Sequence, residues 1–489
     1  MKRYILVRLL KSIVSIFLVV SIVTLMLFTL IPRMNIFEKD GAYKKLNGDA
    51  KTSYVYTKLD ELGYLDFVRQ SEMCALASDV TACNNNDADQ IAEVTKLYEE
   101  KGYNVKTMLN GTLYGYYDYK PFEILWNYFS KVIVVDNPDF VKNTYGVELE
   151  NTGYYFGLDY NNIPALMCNG SQYKYQIYFD ASFPFIHQNI IHFNFGKSYP
   201  TKAGMNTLDV IGFGQGELKS KDVTFETGQT FKSPVNLHTA KYKVSLDGLD
   251  SKKFNDNYAD CDSYYQAPSM VNMSYLMGII SIIITYGLAI PAGILMSRKK
   301  DKLADKIGLV YINILNSIPS LAFIFFMRQI GLMIGLPASF PQLGYFDIRS
   351  YIMPILILGL MSTPSLMTWT RRYMLDQANS DYVKFAKAKG LSEKEVFNKH
   401  ILKNAIIPIV NGIPASIILC ISGAFITESA FSVPGMGKML PDSIKLLNNN
   451  MVITLVFIFT TLSVLSVFAG DLLMTVVDPR IQLTSKKGE

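Results

Sequence analysis

The stretch of residues 272–296, NMSYLMGIISIIITYGLAIPAGILM, decides the fold, because it is apolar and carries no charged side chain. A helix needs about 20 such residues to cross a bilayer. Other charge-free stretches reach that length at residues 12–31, 307–327, 351–370, 405–427 and 451–470. We therefore predict an α-helical polytopic membrane protein with six transmembrane helices. The first stretch is interpreted as a retained anchor, because its apolar run is longer than that of a typical signal peptide.

Basic residues in the short connecting segments predict the orientation, since cytoplasmic loops carry an excess of Lys and Arg. Eight lie in the segment 371–404 and five in the segment 297–306, whereas the short segments on the other side hold two each. We expect a multi-pass protein of the cell membrane with both termini in the cytoplasm. The predicted organisation is an N-terminal tail and first helix (1–32), an extracellular domain (33–271), a five-helix core (272–477) and a cytoplasmic tail (478–489).

The extracellular segment is predicted to fold, because it is long and rich in aromatic residues, as in LYGYYDY at 113–119. Alternating stretches at 171–179 and 239–246 predict strands, and residues 88–101 predict a helix. We expect a large α+β domain inserted between the first and second helices. It holds 30 acidic and 23 basic residues, so the net charge of +5 arises beside the membrane spans. Charge in that place serves topology and anionic lipid, and it indicates no nucleic-acid partner.

Most of the cysteines fall in this outer segment, where disulfides can form: Cys74, Cys83, Cys168 and Cys261. Four cysteines permit three pairings, and the sequence does not distinguish among these or exclude free buried thiols.

The segment 371–404 predicts a helix, a sharp turn and a second helix on the cytoplasmic side. Residues 381–389 (DYVKFAKAK) have helical composition, and Gly390 permits a turn with positive φ. Ser392 and Glu395 have the spacing of a capping box, which starts a second helix running to about residue 403. The small side chains of Ala386 and Ala388 would let the first helix sit closely in a groove of a partner. The alternative is an amphipathic hairpin on the membrane surface.

Residues 381–393 (DYVKFAKAKGLSE), followed by HILKNA at 400–405 and Pro408, resemble the ATPase-docking loop of a known family. The family comprises the permease subunits of ABC importers for oligopeptides, dipeptides and nickel. Shorter elements extend the resemblance, namely RYILVRLL at 3–10, FGKSY at 195–199, NSIPS at 316–320, ESAFSVPGMG at 428–437 and DPRI at 478–481. In the family a much shorter outer loop joins the first two spans, so the resemblance implies no function for the additional outer residues.

The resemblance implies a pore-forming permease subunit of the oligopeptide permease B type, which is not itself an enzyme. It also implies a second homologous permease, two ATPase subunits that hold ATP and magnesium, an extracellular binding protein or lipoprotein, and a peptide substrate. The residues that it assigns to ATPase coupling are Asp381, Tyr382, Ala386, Ala388, Gly390, Leu391 and Ser392. No cofactor is expected on this chain, which has no G-x-x-x-x-G-K-[ST] loop and no histidines at metal-ligand spacing.

Polar residues within the spans are candidates to line a pore: Asn313, Asn316, Ser320, Ser422 and Glu428. Such residues can equally hydrogen-bond neighbouring helices, and Glu428 can be a solvated helix end. Two alternative functions are a permease for dipeptides or nickel chelates and a membrane-anchored receptor whose outer domain carries the activity. A secondary transporter would predict ionisable residues in the middle of spans, and the six stretches contain none.

Overall fold

The computed structural model describes residues 2–135, 154–158, 164–168, 174–179, 186–188, 190–212, 215–218, 220–224, 230–234, 265–421 and 425–477. Its α-helices are α1 (Lys2–Leu30), α2 (Gly41–Lys45), α3 (Gly48–Glu61), α4 (Gln70–Cys74), α5 (Val80–Asn84), α6 (Ala88–Glu100), α7 (Pro121–Val132), α8 (Thr207–Gly212), α9 (Met270–Arg298), α10 (Leu303–Ser317), α11 (Ser320–Met333), α12 (Arg349–Ala378), α13 (Asp381–Ala388), α14 (Glu393–Glu395), α15 (Lys403–Ala405), α16 (Ile407–Leu419), α17 (Phe425–Phe431), α18 (Met436–Lys445) and α19 (Asn449–Val477). A π-helical segment spans Val396–Leu402, and a 3-10 helix spans Arg33–Phe37.

The strands are β1 (Leu65–Arg69), β2 (Asn104–Thr107), β3 (Leu113–Asp118), β4 (Ile133–Val135), β5 (Tyr154–Leu158), β6 (Pro164–Cys168), β7 (Lys174–Phe179), β8 (Ile186–Gln188), β9 (Ile191–Phe193), β10 (Gln215–Leu218), β11 (Ser220–Thr224), β12 (Thr230–Pro234) and β13 (Tyr265–Ala267). They form antiparallel sheets in the orders β1-β3-β2 and β5-β6-β7-β8, and two-stranded ribbons β4-β9, β10-β13 and β11-β12. Helix α6 and strand β7 confirm the predictions at 88–101 and 171–179. The strand predicted at 239–246 lies outside the described residues.

The chain divides into two compact units. One, here called the helical unit, comprises Met1–Val20, Pro268–Asp442 and Leu455–Glu489. The other, the mixed unit, comprises Ser21–Ala267 and Ser443–Thr454, and it contains both helices and strands. Most of the predicted outer domain lies in the mixed unit. The segment 443–454 was assigned to the helical core from sequence, whereas here it belongs to the mixed unit.

Among the residues that the structure describes, four helices are long and apolar enough to cross a membrane: α1 from Leu6, α9, α12 and α19. Two further pairs pass the same test together but are bent, α10 with α11 by 107° and Glu393–Ala405 with Ile407–Leu419 by 41°. The chain is therefore a helical membrane protein, and its described part holds four candidate spans, or up to six if each bent pair forms one span.

The predicted span 307–327 is broken between α10 and α11 for a local reason. Pro319 has no backbone N–H and fixes its own φ, here −56°. Its ring also disfavours the helical conformation of the preceding residue, and Ile318 is extended with ψ 127°. One apolar stretch therefore gives two helices in different directions.

In the helical unit, α9 and α12 approach closely because small residues lie where they cross. A Cβ added to Gly293 would lie 2.7 Å from the Cβ of Thr370, and one added to Gly359 would lie 3.0 Å from Ile284. The close approach allows the Thr285 hydroxyl to donate a hydrogen bond to the Gly359 carbonyl at 2.9 Å. Larger residues at either glycine would separate the two helices.

The β1-β3-β2 sheet of the mixed unit has its own core, in which Met73, Val94 and Leu113 are buried. Within that core Cys74 and Cys83 form a disulfide that joins α4 to α5. This settles one of the pairings that the sequence left open. Cys261 and the side chain of Cys168 lie outside the described residues.

Three consecutive asparagines that precede or begin α19 make buried hydrogen bonds, and two of them hold the FGKSY element at 195–199. Asn448 donates to the Ser198 hydroxyl at 2.8 Å, and Asn450 donates to the Lys197 carbonyl at 3.0 Å. Asn449 donates to the Tyr64 hydroxyl at 2.6 Å. All three asparagine side chains are buried, so these bonds replace water that the amides would otherwise bind. The sequence analysis did not single out the asparagines.

The buried carboxylate of Asp40 joins separate segments of the mixed unit through hydrogen bonds. Its carboxylate accepts hydrogen bonds from the Tyr54 hydroxyl at 2.7 Å, the Tyr199 hydroxyl at 2.5 Å and the Ala42 N–H at 2.8 Å. Burial alone would raise the pKa of Asp40, but the hydrogen bonds outweigh it and hold the pKa below its ordinary value. Tyr54 and Tyr199 are far apart in sequence, so one carboxylate ties two segments together.

We expect the substitution Asp40→Asn to lower the free energy of unfolding of the mixed unit by about 1–3 kcal/mol, because an amide accepts fewer of these hydrogen bonds. The loss should be full at neutral pH. It should shrink as the pH falls below about 4, because the depressed pKa stabilises the fold only where the carboxylate is ionised. Denaturant unfolding of the purified full-length chain in detergent would measure it. Glu100→Gln, at an exposed site, is the matched control and should change little.

Candidate functional site

The segment after α12 forms the predicted helix, turn and helix. Helix α13 ends at a turn in which Gly390 has φ +79° and its N–H donates to the Lys387 carbonyl at 2.9 Å. The Ser392 hydroxyl accepts a hydrogen bond from the Glu395 N–H at 3.3 Å and so caps α14. In return, the Glu395 carboxylate accepts a hydrogen bond from the Ser392 hydroxyl at 3.2 Å. The local features of the prediction are therefore confirmed, and the π-helical segment is an addition to it.

The interior of this segment is apolar and closed. Val383 and Ala386 of α13 pack with Val396 and Ile401 of the π-helical segment and with Met374 of α12. The expected role of Ala386 in the groove of a partner is wrong for this conformation, because its side chain is only 5% exposed. Its small size instead lets the two halves of the hairpin pack against each other.

The exposed surface of the segment is carried by other residues. Ala388 is exposed, as expected, and so are Asp381 and Tyr382. Phe385 is the largest apolar side chain on this surface, with 69% of it exposed. Phe385 is not among the residues predicted from sequence, because its exposure follows from the burial of Val383 and Ala386 on the other face of α13.

A buried ion pair fixes the base of the segment. Asp305 of α10 is fully buried and accepts two hydrogen bonds from the Arg371 guanidinium, at 2.6 and 2.8 Å. The Asp301 N–H donates to the same carboxylate at 3.0 Å. Arg371 lies in α12, seven residues before that helix ends. The helix that leads into the hairpin is thus bound to the connection between α9 and α10.

Three of the candidate pore-lining residues lie near the break between α10 and α11. Asn313, Asn316 and Ser320 are all exposed on the surface of this single chain. An exposed polar side chain in a membrane span needs a pore, a second subunit or water beside it. Ser422 lies outside the described residues.

Glu428, the remaining candidate, has a different environment. Its side chain is 0% exposed, and its carboxylate accepts hydrogen bonds from the Ser274 hydroxyl at 2.6 Å and the Lys438 N–H at 2.8 Å. The Ser274 oxygen in turn accepts from the Met436 N–H at 2.7 Å. Glu428 is therefore neither a solvated helix end nor a pore-lining side chain here, because protein donors surround it. It organises the loop between α17 and α18.

The glycines of the ESAFSVPGMG element serve this arrangement. A Cβ added to Gly435 would lie 2.2 Å from the carboxyl carbon of Glu428, so the residue must be glycine for the loop to close over the carboxylate. Within the described residues, no three His, Cys, Asp or Glu side chains are grouped in a way that could hold a metal ion.

Comparison with known proteins gives the family. The family described as the binding-protein-dependent transport system inner membrane component matches residues 289–483. The oligopeptide transport system permease protein AmiC of Streptococcus pneumoniae serotype 4 is 40% identical over 507 aligned positions that cover 100% of both chains. The chain belongs to this permease family. The family resemblance found at residues 381–408 is thereby confirmed.

Other relatives of this permease match a smaller part of it. The dipeptide transport system permease protein DppB of Lactococcus lactis is 30% identical over 43% of this chain and 69% of its own length. An inward-facing structure of the MetNI methionine ABC transporter covers 43% of this chain and 94% of its own, with 17% identity and a TM-score of 0.35. The AmiC alignment therefore includes the long segment before α9, which the family match at 289–483 does not.

We expect Gly435→Ala to destabilise this permease by about 1–3 kcal/mol, because the added methyl group displaces the Glu428 carboxylate from its donors. Thermal unfolding of the full-length chain in detergent, followed by size-exclusion chromatography, would show a lowered midpoint. Gly287→Ala is the matched control. Gly287 lies in the apolar helix α9, and the space around its Cβ position is open. Equal midpoints for the two variants would contradict the role of Gly435.

Proposed function

We propose that this permease is a pore-forming subunit of an ATP-driven importer of oligopeptides, with six spans, both termini in the cytoplasm and residues 33–271 outside the cell. The observation that supports it most is the hairpin after α12. It combines a closed apolar interior, a fixed base and an exposed apolar side chain, Phe385. A free hairpin on a membrane surface needs no buried ion pair at its base.

The partners in this proposal are a second permease, two ATPase subunits and an extracellular binding protein or lipoprotein. ATP and magnesium are held by the ATPases. The exposed residues Asp381, Tyr382, Phe385 and Ala388 would contact an ATPase, while Gly390, Leu391 and Ser392 shape the turn. Asn313, Asn316 and Ser320 would face the pore or the second permease.

Energy transfer in such an assembly requires that ATP favour one conformational state over another. The hairpin suits this requirement because its two halves share one core, so a push on α13 moves both. The ion pair of Asp305 with Arg371 then passes the displacement to α10 and α12 together. The bend at Pro319, between α10 and α11, is a site where a span can change direction.

The AmiC relative, which is named for oligopeptide transport and aligns over the whole chain, favours oligopeptides over dipeptides or nickel chelates as the substrate. Cells that lack this chain should lose uptake of a labelled pentapeptide and regain it on complementation. Uptake of a labelled dipeptide and of nickel should change little. Loss of dipeptide or nickel uptake alone would overturn the substrate class while leaving the permease assignment intact.

For the coupling role, we expect Phe385→Ala to reduce the ATPase subunits that co-purify with the tagged chain by about 10- to 30-fold. The expectation assumes that an exposed aromatic anchor supplies about 1.4–2 kcal/mol of an interface. The measurement is quantitative mass spectrometry of complexes purified in detergent from native membranes.

The matched control is Phe346→Ala, at a phenylalanine that is 76% exposed in the connection between α11 and α12. That connection lies on the extracellular side in our proposal, so the control should keep its ATPases. If wild type brings no ATPase subunits, the importer function fails and the receptor alternative takes its place. If both variants retain them equally, Phe385 is not the anchor.

A further inference from the structure

Helix α7 of the mixed unit has two unlike faces. Phe122 and Trp126 are four residues apart and share one face, where 76% and 68% of their side chains are exposed. Ile124 and Tyr128 lie on the opposite face, and Ile124 is buried. A helix in an ordinary soluble domain turns its aromatic face inward. Here the inner face is occupied, and large aromatic side chains remain on the outside.

The inner face of α7 lies beside the ends of two membrane spans. Ile124 and Tyr128 line a cleft of about 290 Å³ together with Phe28 and Asn450. Phe28 is two residues from the end of α1, and Asn450 is the second residue of α19. Both residues therefore lie at ends of apolar spans, and these two ends are on the same side of the bilayer. Helix α7 therefore lies at the level where these spans leave the lipid.

The ribbon that follows α7 along the chain also exposes apolar side chains. Ile133 and Val135 of β4 point to one side, and their side chains are 59% and 52% exposed. Ile133 pairs with Phe193 of β9, which is 51% exposed. Large exposed apolar side chains on both a helix and the ribbon that follows it indicate a contact with something apolar.

We propose that α7 is an interfacial helix, which inserts Phe122 and Trp126 into the headgroup and upper acyl region of the lipid leaflet around the outer ends of α1 and α19. The level of α7 selects lipid as the occupant, because an apolar surface beside the end of a span meets the bilayer before it meets a soluble partner. Aromatic side chains on one face of an amphipathic helix suit this depth. The inference requires only that α1 and α19 span the membrane, so it does not rest on the substrate or on the ATPases.

The chain offers a direct test, because it has two tryptophans, Trp126 and Trp369. Full-length Trp369→Phe protein in lipid nanodiscs leaves Trp126 as the single reporter. Lipids brominated near the headgroup should quench its emission by about half or more, and lipids brominated near the acyl end should quench it much less, as expected for insertion of about 5–10 Å. If Trp369→Phe folds poorly, the difference between wild type and Trp126→Phe gives the same readout.

The matched control places a tryptophan at Leu109 in a background that carries Trp126→Phe and Trp369→Phe. Leu109 is 89% exposed and its N–H donates to the Asp49 carboxylate at the start of α3 at 2.7 Å, whereas the other end of α3 lines the cleft. It should show emission typical of water and no quenching by either lipid. The same result for Trp126 would overturn the proposal. Emission from Trp126 that is shielded from water but insensitive to both lipids would also overturn it, by showing that protein covers this face.

Discussion

A carboxyl group withdrawn from water needs hydrogen-bond donors in place of the water, and three such groups organise the described part of this chain. Asp40 joins two distant segments of the mixed unit through tyrosine hydroxyls. Asp305 binds Arg371 at the base of the hairpin that follows α12, and Glu428 accepts hydrogen bonds that fix the loop between α17 and α18. Removing Arg371 from the ion pair with buried Asp305 typically costs about 3–5 kcal/mol, because it leaves a buried charge without compensation. Each site therefore commits the chain to one local arrangement.

The ion pair of Asp305 and Arg371 restrains the hairpin that follows α12. An exposed hairpin could move alone, since few groups outside it would resist. Here the helix that precedes it is tied by two charge-assisted hydrogen bonds to Asp305 in the first turn of α10. The glycine contacts between α9 and α12 add a close packing that a small displacement cannot slide past. A force on the hairpin is thus borne by several helices of the helical unit at once.

Sequence reasoning succeeded where the cause is local. Absence of charge over about 20 residues predicted the long apolar helices α1, α9, α12 and α19, and the turn at Gly390 with the cap at Ser392 follows from residues only a few positions apart. It failed where the cause is a distant contact. The burial of Ala386 depends on the π-helical segment, and that of Glu428 depends on Ser274, which is 154 positions away. No periodicity records such pairs.

The division between membrane core and outer domain shows the same limit. Sequence analysis placed the boundary at residue 271 because charge-free sequence begins there, yet the mixed unit also includes Ser443–Thr454. That segment lies within the region of the family match, whereas its partners at 196–198 do not. Asn448 and Asn450 donate hydrogen bonds to those partners from buried positions, so neither side is satisfied without the other. The mixed unit is therefore not an independent insertion. It is completed by the segment 443–454, which the alignment with AmiC also covers. Because Asn448 and Asn450 bond the FGKSY element directly, a displacement of either asparagine also moves that element.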